Sequence, residues 1–291
     1  MREIEDYFSS EPDQILYHYT GIDALVGMTA TKSLWASNIY YLNDSKEIVH
    51  ACDILENVLK LHFDTGDAQS SEAEFLRQFR DWVNIIKDAM FNIFVFSLSE
   101  VRSLLSQWRS YTPHGKGVSI GFSPIQLRNL SQSAGLRIAK CVYEISQQEE
   151  LLKSLIDKLL ITFRQEFQNI DTSQAPPSQS YHPFLERFRG DVLQVLAIIK
   201  HEAFKEEVEW RLISPHLPIY DTKSTIKYRE GTAMLVPYIE LPLGESKPLF
   251  DWVTLGPSPN KDLSMMSLSM FLVNQQLCNK IDSCKIPYRE L

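Results

Sequence analysis

Apolar residues alternate with polar ones early in the chain and then change spacing within a few residues. Ile15, Leu16, Tyr17 and Tyr19, bounded by Asp13 and Gly21, predict a strand. From Gly21 onward Ile22, Leu25, Val26 and Met28 fall near helical spacing, which predicts a helix directly after it. The strand ends on a polar, titratable cluster, His18 and Thr20. Switches from strand to helix are places where side chains and free backbone N–H groups face a common crevice.

Leu34, Trp35, Ile39, Tyr40 and Tyr41 are strand-like. Asp44 with Glu47 three residues later resembles a capping box, and Ile48, Val49, Cys52, Leu55, Val58 and Leu59 form the apolar stripe of the following helix. A second amphipathic helix is predicted over about 71–90 and a buried strand over 92–99. A short helix follows over 102–112, then a glycine turn feeding a strand over 115–122 and another strand over 135–144. Helices are predicted over about 147–169 and 184–200, with a proline-containing polar loop at 169–183 between them. In 201–214 Val208, Trp210 and Leu212 alternate with Glu209 and Arg211, as in a strand with one charged face. The last third carries strand candidates at 225–230, 233–240, 249–255 and 282–287, and a helix near 260–276.

Strands and helices are interspersed, but strands gather late and hairpin spacing is common, which favours α+β over a doubly wound sheet. The expectation is one α+β domain over 1–291, with helical insertions at about 45–90 and 147–200.

Composition narrows the function classes. A hydrophobic share of 44% is ordinary for a chain with a core. A net charge of −8 argues against a broad phosphate-binding surface, leaving room for a local basic groove. Cys52, Cys141, Cys278 and Cys284 lack zinc-ligand spacing, so no metal is expected, nor a disulfide framework. The acidic first residues lack a signal-peptide core, and no apolar run approaches the roughly 18 residues of a membrane span. A cytoplasmic, reducing location is the expectation.

Several clusters carry candidate chemistry. His18 and Thr20 share one strand face and offer a donor/acceptor comb for ribose hydroxyls or an amide, although a histidine bonded to a backbone carbonyl is the plainer reading. Glu207, Glu209 and Arg211 alternate, so two carboxylates lie side by side; in a cleft one of them can take a raised pKa and accept a hydrogen bond from a reacting hydroxyl. The plainer reading there is a solvated face with a Glu209–Arg211 pair. Arg109 and His114 have the spacing of a helical ribonuclease family, but Pro113 and Gly115 break the helix it needs. Tyr41 and Asn43 lie just before a helix and are free for a planar ligand. The chain contains no Gly-x-Ser-x-Gly elbow, HExxH, Walker loop or Rossmann fingerprint.

The spaced set L-Y-H-Y-T, S-L-W-A-S, Y-L-N-D-x-x-E, F-S-L-S, W-x-x-Y, G-K-G-V-x-I-G-F, K-H-x-x-F, E-x-E-W-R-L and G-P-S-P closely resembles a bacterial family catalogued as domain of unknown function 2971, from about residue 15 to 287. A second resemblance is to the ADP-ribosyltransferase fold. It rests on H-x-T on the first strand, an aromatic residue in the middle and a glutamate late on a strand, and includes the group that modifies nucleobases in toxin–antitoxin and phage-defence systems. That resemblance implies a mixed, mostly antiparallel split sheet and NAD as substrate. His18 and Thr20 would anchor the ribose and nicotinamide, with Tyr111 or Tyr41 stacking, and Asn43 and Arg109 nearby. Glu209 would be the catalytic carboxylate, supported by Glu207. The acceptor would be a nucleic-acid base or a protein, and an antitoxin or regulatory partner is implied. Tyr19 departs from the pattern, since polymerase-type members carry glycine after the histidine. A non-catalytic nucleotide- or protein-binding module is the alternative, and a metal-independent ribonuclease using Arg109 and His114 stands third.

Overall fold

The computed structural model describes residues 3–42, 46–63, 70–112, 117–218, 226–231, 233–245 and 247–286. In chain order the elements are α1 (Ile4–Ser9), β1 (Leu16–Gly21), α2 (Ile22–Thr31), β2 (Ser33–Asn38), α3 (Glu47–Phe63), α4 (Ser71–Asp88) and β3 (Phe94–Ser99). There follow α5 (Leu105–Tyr111), β4 (Gly117–Phe122), α6 (Pro124–Ala134), β5 (Arg137–Lys140), α7 (Ile145–Glu166), α8 (His182–Glu186) and α9 (Arg189–Leu196). The chain then forms β6 (Glu209–Ile213), β7 (Lys227–Glu230), β8 (Leu235–Pro242), β9 (Phe250–Leu255), α10 (Lys261–Asn274) and β10 (Cys278–Ser283).

The class is α+β. One sheet runs β10-β9-β4-β1-β3-β2-β8-β7, with β6 and β5 attached through β3. Among the described strands only β10 and β9 pair in parallel, and one isolated bridge, Val142↔Ile199, is parallel as well. The sheet forks at β3. One edge of β3 pairs along its length with β6, from Val95↔Ile213 to Ser99↔Glu209. The other edge is shared: β1 meets it at Tyr17↔Ser99, and β2 meets it at Asn38↔Phe94 and Ser37↔Val95. Between those contacts, at Phe96, Ser97 and Leu98, β1 and β2 part.

The alternation of side chains gives the two faces different coverings. Leu16, Phe94, Phe96, Leu98, Val118, Ile120 and Leu212 point to a core that includes Leu25, Leu127 and Leu268 from α2, α6 and α10. Val95, Ala139 and Ile213 point the other way, into a helical layer built on α3, α4, α7, α8 and α9. On that same face α5 packs separately, through Trp108 against Tyr17 and Tyr19.

Several predicted elements change extent. The strand expected over 201–214 begins only at Glu209: Glu202–Glu207 form a 3-10 helix, and Val208 is left-handed (φ 42°). The helix expected over 184–200 is two short ones, α8 and α9, and the strand expected at 282–287 lies earlier, at Cys278–Ser283. The predicted strand over 135–144 narrows to Arg137–Lys140. Asp44 of the expected capping box lies outside the described residues. All four cysteines are free thiols. Among the described residues no helix is long and apolar enough to cross a membrane.

Candidate functional site

A cavity of about 40 Å3 opens where the sheet forks, between α5 and the helical layer. Antiparallel register puts Tyr17, Ser99 and Glu209 in one cross-strand row, with Ser97 and Arg211 in the next. Tyr17, Tyr19, Ser99, Gln107, Tyr111, Glu207 and Glu209 line the cavity. Gln107 and Tyr111 are one helical turn apart on α5, which sends both to the same side. Tyr19 fixes that helix: its hydroxyl donates to the Val101 carbonyl (2.6 Å) and accepts from Leu104 N–H (2.9 Å).

His18 reaches the cavity from the opposite face. Tyr17 and Tyr19 point to the α5 side, so His18 and Thr20 point to the other. His18 lines the cavity together with Ser97 and Leu98, and its ring stacks on Phe96 (centroids 4.2 Å apart). Its Nδ1 lies 2.8 Å from the Ser97 carbonyl, at the rung where β1 and β2 part. A carbonyl only accepts, so Nδ1 carries the proton and Nε2 keeps its lone pair. Burial pushes the imidazole pKa down to about 4, so the ring is neutral at neutral pH.

Beneath the cavity is a buried ionic network. Lys200 Nζ lies 2.5 Å from a carboxylate oxygen of Glu207 and 2.5 Å from one of Glu209. Arg211 donates through Nε to Glu209 Oε1 (2.8 Å), through Nη2 to Glu47 (2.8 and 2.9 Å) and through Nη1 to the Ala197 carbonyl (2.6 Å). Three carboxylates face two cations, so the ionised network carries one net negative charge. Burial works against the Glu209 charge, but Arg211 and Lys200 outweigh it and hold the carboxyl at about 2. Burial raises the Glu207 carboxyl above its ordinary value, opposed by Lys200. Burial, followed by the Glu207 and Glu209 charges, raises the Tyr111 phenol. The glutamates are set by Val208, a β-branched residue in the left-handed region, a costly conformation that turns both side chains toward Lys200.

The sequence candidates divide accordingly. His18, Tyr111, Glu207 and Glu209 line the cavity. Thr20, Tyr41 and Arg109 are not among its lining residues: Thr20 is on β1 beside Val118, Tyr41 ends a 3-10 turn, and Arg109 is exposed on α5. Asn43 and His114 lie outside the described residues. The Glu209–Arg211 pair exists, but it is buried, so the solvated-face alternative does not describe it. Glu207 is not on the strand; it ends the 3-10 helix and meets Glu209 through Lys200. Among the described residues no group of three or more His, Cys, Asp or Glu side chains is arranged to hold a metal ion.

The stretch that builds most of this site is also the one with a known counterpart. Residues 107–212 match the family described as Protein of unknown function (DUF2971). No curated protein and no solved structure matches the chain. The DUF2971 match is narrower than the span of motifs read from the sequence. It holds Gln107, Tyr111, Lys200, Glu207, Glu209 and Arg211, and leaves out β1 with His18 and α3 with Glu47.

Gln107 did not stand out in the sequence, and Lys200 and Glu47 appeared there only as members of the K-H-x-x-F and Y-L-N-D-x-x-E motifs, with no role at a site. Lys200 had a signal: it is the charged end of the apolar run Val195–Ile199, an unfavourable place for an ammonium without partners. Glu47 had an adequate role as a helix-start residue, which hid its pairing with Arg211.

Proposed function

We propose that the protein is an ADP-ribosyltransferase-like enzyme that takes NAD as substrate at the fork cavity and transfers ADP-ribose to a nucleobase or a protein side chain. The observation that carries this reading is the meeting of His18, Tyr111, Glu207 and Glu209 around one cavity, from segments up to about 190 residues apart. The neutral His18 offers Nε2 as acceptor for a ribose hydroxyl. Tyr111 supplies a ring face for nicotinamide. The negative network stabilises the positive charge that grows on the ribose as the N-glycosidic bond breaks. Nicotinamide leaves with the bonding electron pair, and the acceptor's lone pair forms the new bond to the ribose carbon.

The sequence put the chemistry on Glu209 with Glu207 in support; the hydrogen bonds favour the reverse. Both Glu209 oxygens are taken by Arg211 and Lys200. Glu207 bonds Lys200 through Oε2, which leaves Oε1 to accept from a ribose hydroxyl. Seating a whole nicotinamide takes rotamer changes of the Gln107 and Tyr111 side chains, as interface side chains commonly undergo on binding, while the backbone of α5 stays in place.

The saturation of Glu209 favours one second reading, a nucleotide-binding module without turnover. Incubating the purified protein with labelled NAD, with and without DNA, RNA and cell lysate, separates the two. Label transfer or nicotinamide release supports the enzyme; calorimetric NAD binding without either supports the module, and no binding removes both. A toxin or phage-defence role with an antitoxin partner belongs to the same proposal, and growth arrest on expression tests it.

A further inference from the structure

Gln107 is 7% exposed and lines the fork cavity, and its side chain makes no hydrogen bond to any described residue. Its amide nitrogen and oxygen open to the cavity rather than being sealed in the core, so a ligand that enters takes the place of water as their partner. Gln107 is also held in place. The next residue, Trp108, is 1% exposed, donates from Nε1 to Ser103 Oγ (3.1 Å) and packs edge-on against Tyr19 (centroids 4.7 Å apart). The start of the helix is tied to β1 through the Tyr19 hydroxyl.

We propose that Gln107 is the specificity-determining residue of the fork cavity, and that it reads a neutral carboxamide or lactam edge of the ligand. The Gln107 amide presents an N–H donor and a C=O acceptor side by side, and another amide returns both bonds. A carboxylate returns only one and brings a second negative charge against Glu207 and Glu209, which share the cavity and belong to a network already one charge negative. A simple cation meets the acceptor and leaves the donor unpaired. Tyr111, one turn further along α5, covers the ring that bears the amide. The inference rests on the reading of this cavity as a ligand site and says which end of the ligand enters it.

The test compares nicotinamide, benzamide and nicotinic acid as probes, by calorimetry and ligand-observed NMR, on the full chain and on Gln107→Leu, Gln107→Met and Gln107→Glu. The two amides bind the unaltered protein at least about tenfold more tightly than nicotinic acid, because a polar site rejects a ligand that leaves its buried groups unpaired. Gln107→Leu and Gln107→Met lose that preference while melting at about the same temperature, since neither removes a hydrogen bond within the protein. Equal binding of nicotinamide and nicotinic acid, unchanged selectivity in both variants, or no amide binding at all overturns the assignment. A melting temperature lowered in Gln107→Met as well as Gln107→Leu also overturns it, because the amide would then be structural. Amide-selective binding without NAD turnover leaves this inference standing and removes the enzyme reading. NAD turnover undiminished by Gln107→Met does the opposite.

Discussion

Lys200 Nζ lies 2.5 Å from a Glu209 carboxylate oxygen, with both side chains buried, and this one contact joins the end of the helical layer to the first residue of β6. Lys200 also holds Glu207, so a single ammonium sets the position of both carboxylates at the cavity. Removing it leaves three carboxylates to one cation, with Arg211 bonded to Glu47 and Glu209 and Glu207 without its partner. Lys200→Met therefore costs about 3–5 kcal/mol of stability, the range for breaking a buried pair from one side. Lys200→Met combined with Glu207→Gln recovers part of that loss. Urea unfolding measures both, and a cost near zero for the single variant contradicts the network.

The His18 imidazole gives a pH signature. Its pKa is about 4 folded and about 6.5 when the chain is unfolded and hydrated. Between those values the unfolded chain binds the proton and the folded one does not, so stability falls as pH drops from about 6.5 to about 4. The raised Glu207 carboxyl works in the opposite direction above its ordinary value, and the Glu209 contribution is lost only as pH falls toward about 2. Comparing melting curves of the protein and His18→Gln isolates the histidine. The variant has the flatter profile between pH 6.5 and 4, and parallel profiles would contradict a buried neutral ring.

Val208 stores backbone strain between the two glutamates. Val208→Gly relieves a left-handed β-branched residue, an effect of about 1 kcal/mol, partly offset by the greater entropy of the unfolded glycine chain. Stability thus changes little or rises, whereas ligand binding at the cavity weakens because Glu207 is no longer held toward Lys200. Thermal melting and calorimetry read the two effects separately; loss of more than about 2 kcal/mol would show that the conformation is not strained.

Gly256 seats α5. A Cβ there would stand 2.9 Å from the Trp108 ring and 3.0 Å from the Gly117 carbonyl, closer than carbon atoms pack. Gly256→Ala forces Trp108 outward and costs about 1–3 kcal/mol, as overpacking does. The shift carries Gln107 and Tyr111 with it. Tryptophan fluorescence and urea unfolding follow the change, and an unaltered spectrum with unaltered stability would contradict this seating.

The fold was legible wherever period and length agreed. Ile48, Cys52, Leu55 and Leu59 mark α3, and Phe75, Phe79, Trp82 and Ile86 mark α4, because one buried face imposes helical spacing. The region before β6 was not legible in the same way. Glu207, Glu209 and Arg211 alternate as a strand would, but three charged groups in a buried place need Lys200 as a partner, and a 3-10 helix with a left-handed turn supplies the geometry. The fork itself had no local signal, since it depends on β1 and β2 sharing one edge of β3, a strand that begins at Phe94, far along the chain from Gly21 and Asn38 where they end. His18 lay in view as the odd polar residue on an apolar strand; Gln107 did not, because a glutamine on a short amphipathic helix usually faces water.

The central claim is that Glu207 and the network behind it act on NAD at the fork. The most direct measurement is nicotinamide release from NAD by the purified protein beside Glu207→Gln and Glu209→Gln, with melting temperatures taken on the same samples. The account predicts release by the unaltered protein and a loss of about 100-fold or more in Glu207→Gln, the usual scale for removing one electrostatic contact to a developing charge, with its fold intact. Glu209→Gln loses activity together with stability, since its charge is shared by Lys200 and Arg211. Release that persists at full rate in a folded Glu207→Gln, or no release and no NAD binding by the unaltered protein, would contradict it.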